Sequence, residues 1–237
     1  MIKRRGTGLW MQWADIEESR QDAFTCWLDN WRVPRLLHVP GVLSIGRYRA
    51  TTGGPKHLLM CELEHHQVLK SPAMLDALYT RATGESEEGP DRARTWLQNG
   101  YRQIYPVSID PAMDNIGMAP FLMVGRMDCP AFLEKEFNAW YNNSYIPSFL
   151  TVPGCMRARR FSAIGGQPNY LTLYEMAHAG VQQSDEWAQA RSGNPCNARM
   201  QAHMQLDEGS PGQYEKVYDR RSRPSKWRRL SRVPNIR

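Results

Sequence analysis

The sequence predicts an α+β fold in which two βαββαβ units pack sheet to sheet as a pseudo-two-fold barrel. Three observations lead there. The segment Phe24–Tyr48, FTCWLDNWRVPRLLHVPGVLSIGRY, is echoed by Phe137–Phe161, FNAWYNNSYIPSFLTVPGCMRARRF. Sliding the chain against itself by 113 residues aligns the halves without a gap, from Asp15 on Asp128 to Tyr105 on Tyr218, the mark of two copies of one unit. Within each copy, short strand-like runs alternate with stretches of helical period.

The elements follow in order. Residues 8–13 (GLWMQW) and 121–127 (FLMVGRM) read as apolar strands. Residues 17–38 and 130–151 read as helical, because Phe24, Trp27, Leu28 and Trp31 fall at i, i+3, i+4 and i+7. Pro34 and Pro147 should kink or end those helices. A Pro-Gly turn follows in each copy. Strands are then expected at 42–50 and 57–64 around TTGGP, and at 155–163 and 169–176 around IGGQP. A second helical region is expected at 72–98 and 184–208, and YRQIYPV and YEKVY close the units as strands. That order is the ferredoxin-like split βαβ arrangement. Its uncovered sheet face must be buried, and a linked second copy can do so. The expected units are 1–112 and 113–218, followed by a basic arm at 219–237.

Composition narrows the function classes. Apolar residues make up 41% of the 237 and charged residues 23%, values usual for a globular protein. No run reaches the ~20 apolar residues of a membrane span. No apolar signal stretch follows the first residues. Cys26, Cys61, Cys129, Cys155 and Cys196 are odd in number and form no C-x-x-C pair, which argues for reduced thiols in a cytoplasmic protein. The net charge of +6 sits in the arm: from Asp219 onward there are eight Lys/Arg against one acid, so residues 1–218 sum to −1. No nucleic-acid fold surrounds the arm. An arm on its own or a partner subunit, anchored by Trp227, Leu230 and Val233, is expected instead. No nucleic-acid or membrane partner is expected, and a homodimer is compatible with the fold but not required by it. No G-x-G-x-x-G, phosphate loop or G-x-S-x-G occurs.

The pattern W-x-x-x-x-x-x-P…V-P-G…R-[YF]-x-A…G-x-P…L…E, present in both copies, resembles the dimeric α+β barrel superfamily, in particular its EthD-like branch. The resemblance implies cofactor-free monooxygenases, polyketide cyclases, decarboxylases, isomerases or, in distant tandem branches, haem enzymes. Fold alone does not choose among them. The resemblance also implies a histidine five residues after the helical tryptophan. Arg32 and Tyr145 stand there instead. For haem, His203 in ARMQAHMQLDE is the helical histidine to consider; the flanking sequence does not otherwise resemble that branch, and no cofactor or metal is expected.

The repeat also sorts residues. Positions identical in both copies should serve folding. On that ground Arg47 with Glu62, and Arg160 with Glu175, are expected to form cross-strand ion pairs, and Trp27 and Trp140 to be core. Positions that differ are available for one asymmetric site. Arg32 stands opposite Tyr145, His57 opposite Tyr170, Trp13 opposite Arg126 and Cys61 opposite Tyr174. Together with the resemblance, this suggests a cofactor-independent lyase, a decarboxylase for an aromatic or polyketide-like carboxylic acid. Arg32 or Arg126 would hold the carboxylate. Tyr145, Tyr170 or His57 would move the proton. Trp10, Trp31, Tyr141 and Tyr174 would line the walls. The alternatives are a cofactor-free monooxygenase or cyclase on a phenolic substrate, or a non-enzymatic small-molecule-binding or structural module.

Overall fold

The computed structural model describes residues 6–81, 93–108 and 117–221. Its centre is a closed antiparallel barrel of eight strands: β1 (Gly8–Asp15), β2 (Val42–Thr52), β3 (His57–Leu63), β4 (Thr95–Tyr105), β5 (Phe121–Asp128), β6 (Cys155–Ala163), β7 (Tyr170–Met176) and β9 (Gly212–Arg221). Around the barrel the order is β7-β6-β4-β1-β3-β2-β9-β5, and β5 pairs back onto β7. A two-residue strand, β8 (Gln205–Leu206), hangs on the end of β5.

The first-half strands thus lie as β4-β1-β3-β2 and the second-half strands as β9-β5-β7-β6. Packing of one arc on the other is only part of what joins them. They are also hydrogen-bonded along both edges, with Tyr101 opposite Ala163 on one side and Arg47 opposite Tyr218 on the other. Closure pairs strand edges that would otherwise present open N–H and C=O groups.

Side-chain alternation sends Leu58 and Met60 of β3 into the barrel, where they meet Trp13, Tyr48, Phe161 and Leu173. Leu59, Cys61 and Leu63 point outward under the first-half helices. Both faces of β3 and β7 are therefore buried.

Each outer layer carries a bent helical rod. In the first half, α1 (Gln21–Trp27) runs through a π-turn (Leu28–Arg32) into α2 (Val33–His38). The second half repeats this with α4 (Glu134–Trp140), a π-turn (Tyr141–Tyr145) and α5 (Ile146–Leu150). Pro34 and Pro147 therefore do not end the helices. Proline lacks an N–H and clashes with the preceding turn; the wider π-turn just before it makes room. Trp27 and Trp140 are buried, as expected.

The second helical regions are shorter than periodicity suggests. α3 (Pro72–Tyr79) is capped by Ser71, whose Oγ accepts from Met74 N at 3.2 Å, and strand β4 begins at Thr95. In the second half the region splits into α6 (Asp185–Ser192) and α7 (Pro195–Gln201), capped by Ser184 and Asn194. Residues 219–221 belong to β9 and not to a separate arm. Trp227, Leu230 and Val233 lie outside the described residues. No helix among those described is long and apolar enough to cross a membrane.

The expected ion pairs Arg47–Glu62 and Arg160–Glu175 do not form. Register places Arg47 opposite Leu59 and Glu62 opposite Ser44, with Arg160 opposite Thr172 and Glu175 opposite Arg157. A shift of one residue flips a side chain to the other sheet face. The two glutamates consequently point into the barrel. There Arg159 binds both Glu62 and Glu175, and Arg157 binds Glu175. Arg47 and Arg160 point the other way, under the helices.

Candidate functional site

The two helix–sheet clefts differ. In the first, Arg32 acts as a plug. It is 7% exposed, and its guanidinium lies 5.2 Å from the Trp27 ring centroid and 6.0 Å from that of Trp10. It donates to Ala77 O at 2.9 Å and Leu78 O at 3.0 Å. A hollow of about 20 Å³ lies in this half, beside His57 and Leu28.

The second cleft holds a cavity of about 180 Å³ under α4–α7. Its floor comes from Met123, Gly125, Met127, Thr172 and Tyr174; Tyr141, Tyr145, Phe149 and Trp187 form its walls. Exposed Arg191, Leu206 and Pro211 mark its opening to solvent. The cavity exists because bulk is missing from β5: Met123 and Gly125 stand 113 residues after Trp10 and Gln12. Tyr145, in place of Arg32, does not reach across as a plug.

Hydroxyls converge here. Tyr141 Oη donates to Met127 Sδ at 3.5 Å, and Gln201 Nε2 donates to Tyr145 Oη at 3.3 Å. Tyr174 Oη and Thr172 Oγ1 are buried without a well-formed hydrogen bond. They nonetheless lie near enough to Tyr141 to draw its pKa down against the larger upward push of burial. Burial likewise raises the Tyr145 and Tyr174 phenols, and neighbouring tyrosines raise them further. All three remain neutral hydroxyls, able to donate to an oxygen on a guest.

Behind Tyr141 lies Arg160, fully buried. Its guanidinium sits 4.2 Å from the Tyr141 ring centroid and 5.2 Å from that of Tyr170. It donates to Asn142 Oδ1 at 2.9 Å, whereas its Nε and second terminal nitrogen have no hydrogen-bond partner among the described residues. Tyr170 itself hydrogen-bonds to Glu134 and accepts from Asn138 Nδ2 at 3.0 Å.

The structure brings together Tyr141, Tyr145 and Tyr174, with Tyr170 adjacent across Arg160. It does not bring the other expected site residues to them. Arg32, Trp10, Trp31 and His57 belong to the first half. Arg126 points into the barrel, 4.8 Å from the Trp13 ring centroid, and binds Asp207 at 2.9 Å. The His57 pKa is lowered to about 4 by burial, then by Arg49 and Lys56.

Sequence reasoning missed Arg160, assigned to a structural pair because Arg47 matches it. It also missed Thr172, Met127, Trp187 and Gln201. The available signal was Asn142 standing where the first copy has Asp29.

Two other hollows are less suited to chemistry. A groove of about 630 Å³ over Ser144, Ser148, Gln189 and Asn194 is lined by polar side chains, without aromatic walls. A depression of about 410 Å³ at a barrel mouth includes Arg126, already paired with Asp207.

No family model matches the sequence, and no curated protein matches it. Solved structures do match. An anthrone oxidase-like protein superposes with a TM-score of 0.58 at 10% identity, covering 92% of this chain and 93% of its own. The shared fold is an α+β barrel. A monooxygenase candidate from Fusobacterium nucleatum subsp. nucleatum matches with a TM-score of 0.57 at 8% identity, over 91% of this chain and 95% of that one. A heme-binding protein from Thermus thermophilus matches with a TM-score of 0.53 at 13% identity, over 90% and 92%. Chlorite dismutases match similarly. At these identities the likeness establishes the barrel and leaves the reaction open.

Haem does not fit this cavity. The cavity of about 180 Å³ is far smaller than a porphyrin, and no histidine lines it. His203 is exposed and packs its ring edge-to-face with Phe132.

Proposed function

We propose that the chain is a cofactor-independent oxygenase for a phenolic or similarly acidic aromatic substrate, held in the second-half cavity. The observation that carries this reading is the convergence of the Tyr141, Tyr174 and Thr172 hydroxyls on an apolar hollow backed by the buried cation Arg160. An engineered apolar cavity of ~150 Å³ in another protein holds benzene, so about 180 Å³ admits one substituted ring, with larger groups projecting through the mouth. The neutral hydroxyls would donate to the substrate oxygen and stabilise its anion in a site of low dielectric. An electron-rich anion can react with dioxygen directly. A CH₂ group becomes C=O as one oxygen atom bonds to carbon and the other leaves as water, so no further reductant is required.

The decarboxylase reading is the less well supported. The cations it relied upon are engaged elsewhere: Arg32 with the Ala77 and Leu78 carbonyls, Arg126 with Asp207. The matched oxidase-like and monooxygenase folds also favour the oxygen chemistry. We further read the chain as a tandem EthD-like barrel of two ferredoxin-like units. The 113-residue repeat and the strand order shared by the halves support this.

The test is oxygen uptake by purified, chelator-treated protein with a panel of phenols and hydroxylated ring ketones, with carbon dioxide measured in parallel. Oxygen consumption that falls in Tyr174→Phe is expected. Carbon dioxide release without oxygen uptake would restore the lyase.

A further inference from the structure

Arg47 and Arg160 occupy matching positions 113 residues apart, yet their partners differ. Arg47 meets the Asp29 carboxylate at 3.3 Å. Among the described residues, the hydrogen-bond acceptor for Arg160 is the neutral amide oxygen of Asn142, at 2.9 Å. Asn142 is the repeat counterpart of Asp29. The groups that act on Arg160 electrostatically are Tyr141, Tyr170, Tyr174 and Cys129. Glu134 lies beyond Tyr170, and its carboxylate is hydrogen-bonded to the Tyr170 hydroxyl. No ion pair to Arg160 forms among the described residues. A guanidinium stays charged in proteins, and a buried charge without a counter-charge is costly.

We propose that the cavity takes its aromatic substrate as an anion, with Arg160 as the counter-charge behind Tyr141 and Asn142 as the residue that keeps this charge available. This rests on the reading of the cavity as a phenol site and names the ionisation state it selects. Arg160 and Asn142 are positioning residues, since the Tyr141 ring lies between Arg160 and the hollow. Arg191 at the mouth adds a second cation of the same sign, exposed and therefore screened by solvent. The first half shows the opposite arrangement: a carboxylate neutralises the arginine and a plug fills the cleft.

The probe is 4-nitrophenol, whose phenol and phenolate absorb differently, titrated with pH against wild type and Asn142→Asp. The carboxylate so introduced would recreate the Arg47–Asp29 pair, so the variant should fold, which circular dichroism verifies. In wild type the bound phenol should ionise about one unit below its free value. In Asn142→Asp that shift should vanish, and phenolate binding should weaken about tenfold. Asn142→Leu, which adds no charge, should keep the shift. If wild type and Asn142→Asp bind nitrophenol with the same ionisation, the inference fails while the phenol cavity stands. If wild type binds no nitrophenol, both fail.

Discussion

Arg159 and Glu62, 97 residues apart in sequence, meet in a two-point ion pair inside the barrel. Arg159 is 1% exposed and Glu62 0%. The pair crosses from the second half to the first, and Glu175 joins it at 3.4 Å from Arg159. Such a contact fixes how the arcs face each other, because each charge is tolerable there only beside the other.

Removing one partner should therefore be far more harmful than removing both. Glu62→Gln is expected to lower stability by about 3–5 kcal/mol. Arg159→Met combined with Glu62→Leu should recover most of that loss. Urea unfolding midpoints of the single and double variants provide the measurement.

Arg32→Ala should unplug the first cleft. It strips the Ala77 and Leu78 carbonyls of a charged donor and the Trp27 face of its cation. A loss of about 2–4 kcal/mol is expected. Oxygen uptake at the second cavity should remain within about twofold of wild type, since the first cleft is remote from it and mutations at distant, independent sites act separately. A selective loss of turnover with unchanged stability would return Arg32 to the active site.

Tyr174→Phe should separate function from stability. The Tyr174 hydroxyl is buried without a well-formed hydrogen bond, so its removal should leave stability unchanged or slightly raised. Substrate oxidation should drop by a factor of about 10². Thermal melting and oxygen uptake on the same sample test both halves of the statement.

His57 should contribute to pH dependence. Its folded pKa is about 4 and its ordinary value 6.5, so the folded state favours the neutral ring. The contribution is complete above pH 6.5 and lost as the pH falls through 4. Partial exposure limits it to about 1–2 kcal/mol. His57→Gln should flatten the stability profile between pH 6.5 and 4, measured by urea unfolding at stepped pH.

Much of the fold was legible in the sequence. The β-hairpins around TTGGP and IGGQP and the helical stripe of Phe24, Trp27 and Leu28 are local or periodic signals, and the strands and helices lie near the expected places. Strand register was not legible. It decides whether Glu62 faces Arg47 or the barrel interior, and nothing within the hairpin residues signals that Arg47 pairs with Leu59 and Glu62 with Ser44. The site was half legible. Differences between the copies singled out Tyr145, Tyr170 and Tyr174, whereas the identity of Arg47 and Arg160 concealed a difference in their partners.

The sequence by itself determined the order of elements and the candidate aromatic residues, because these follow from spacing along one chain. Tertiary structure alone decided which cleft stays open and which cation lies beside it. Those outcomes depend on how Trp10, Arg32, Met123 and Gly125 fill space between a helix and a sheet. Packing volumes and buried charges are settled between residues far apart along the chain, where local pattern carries no information.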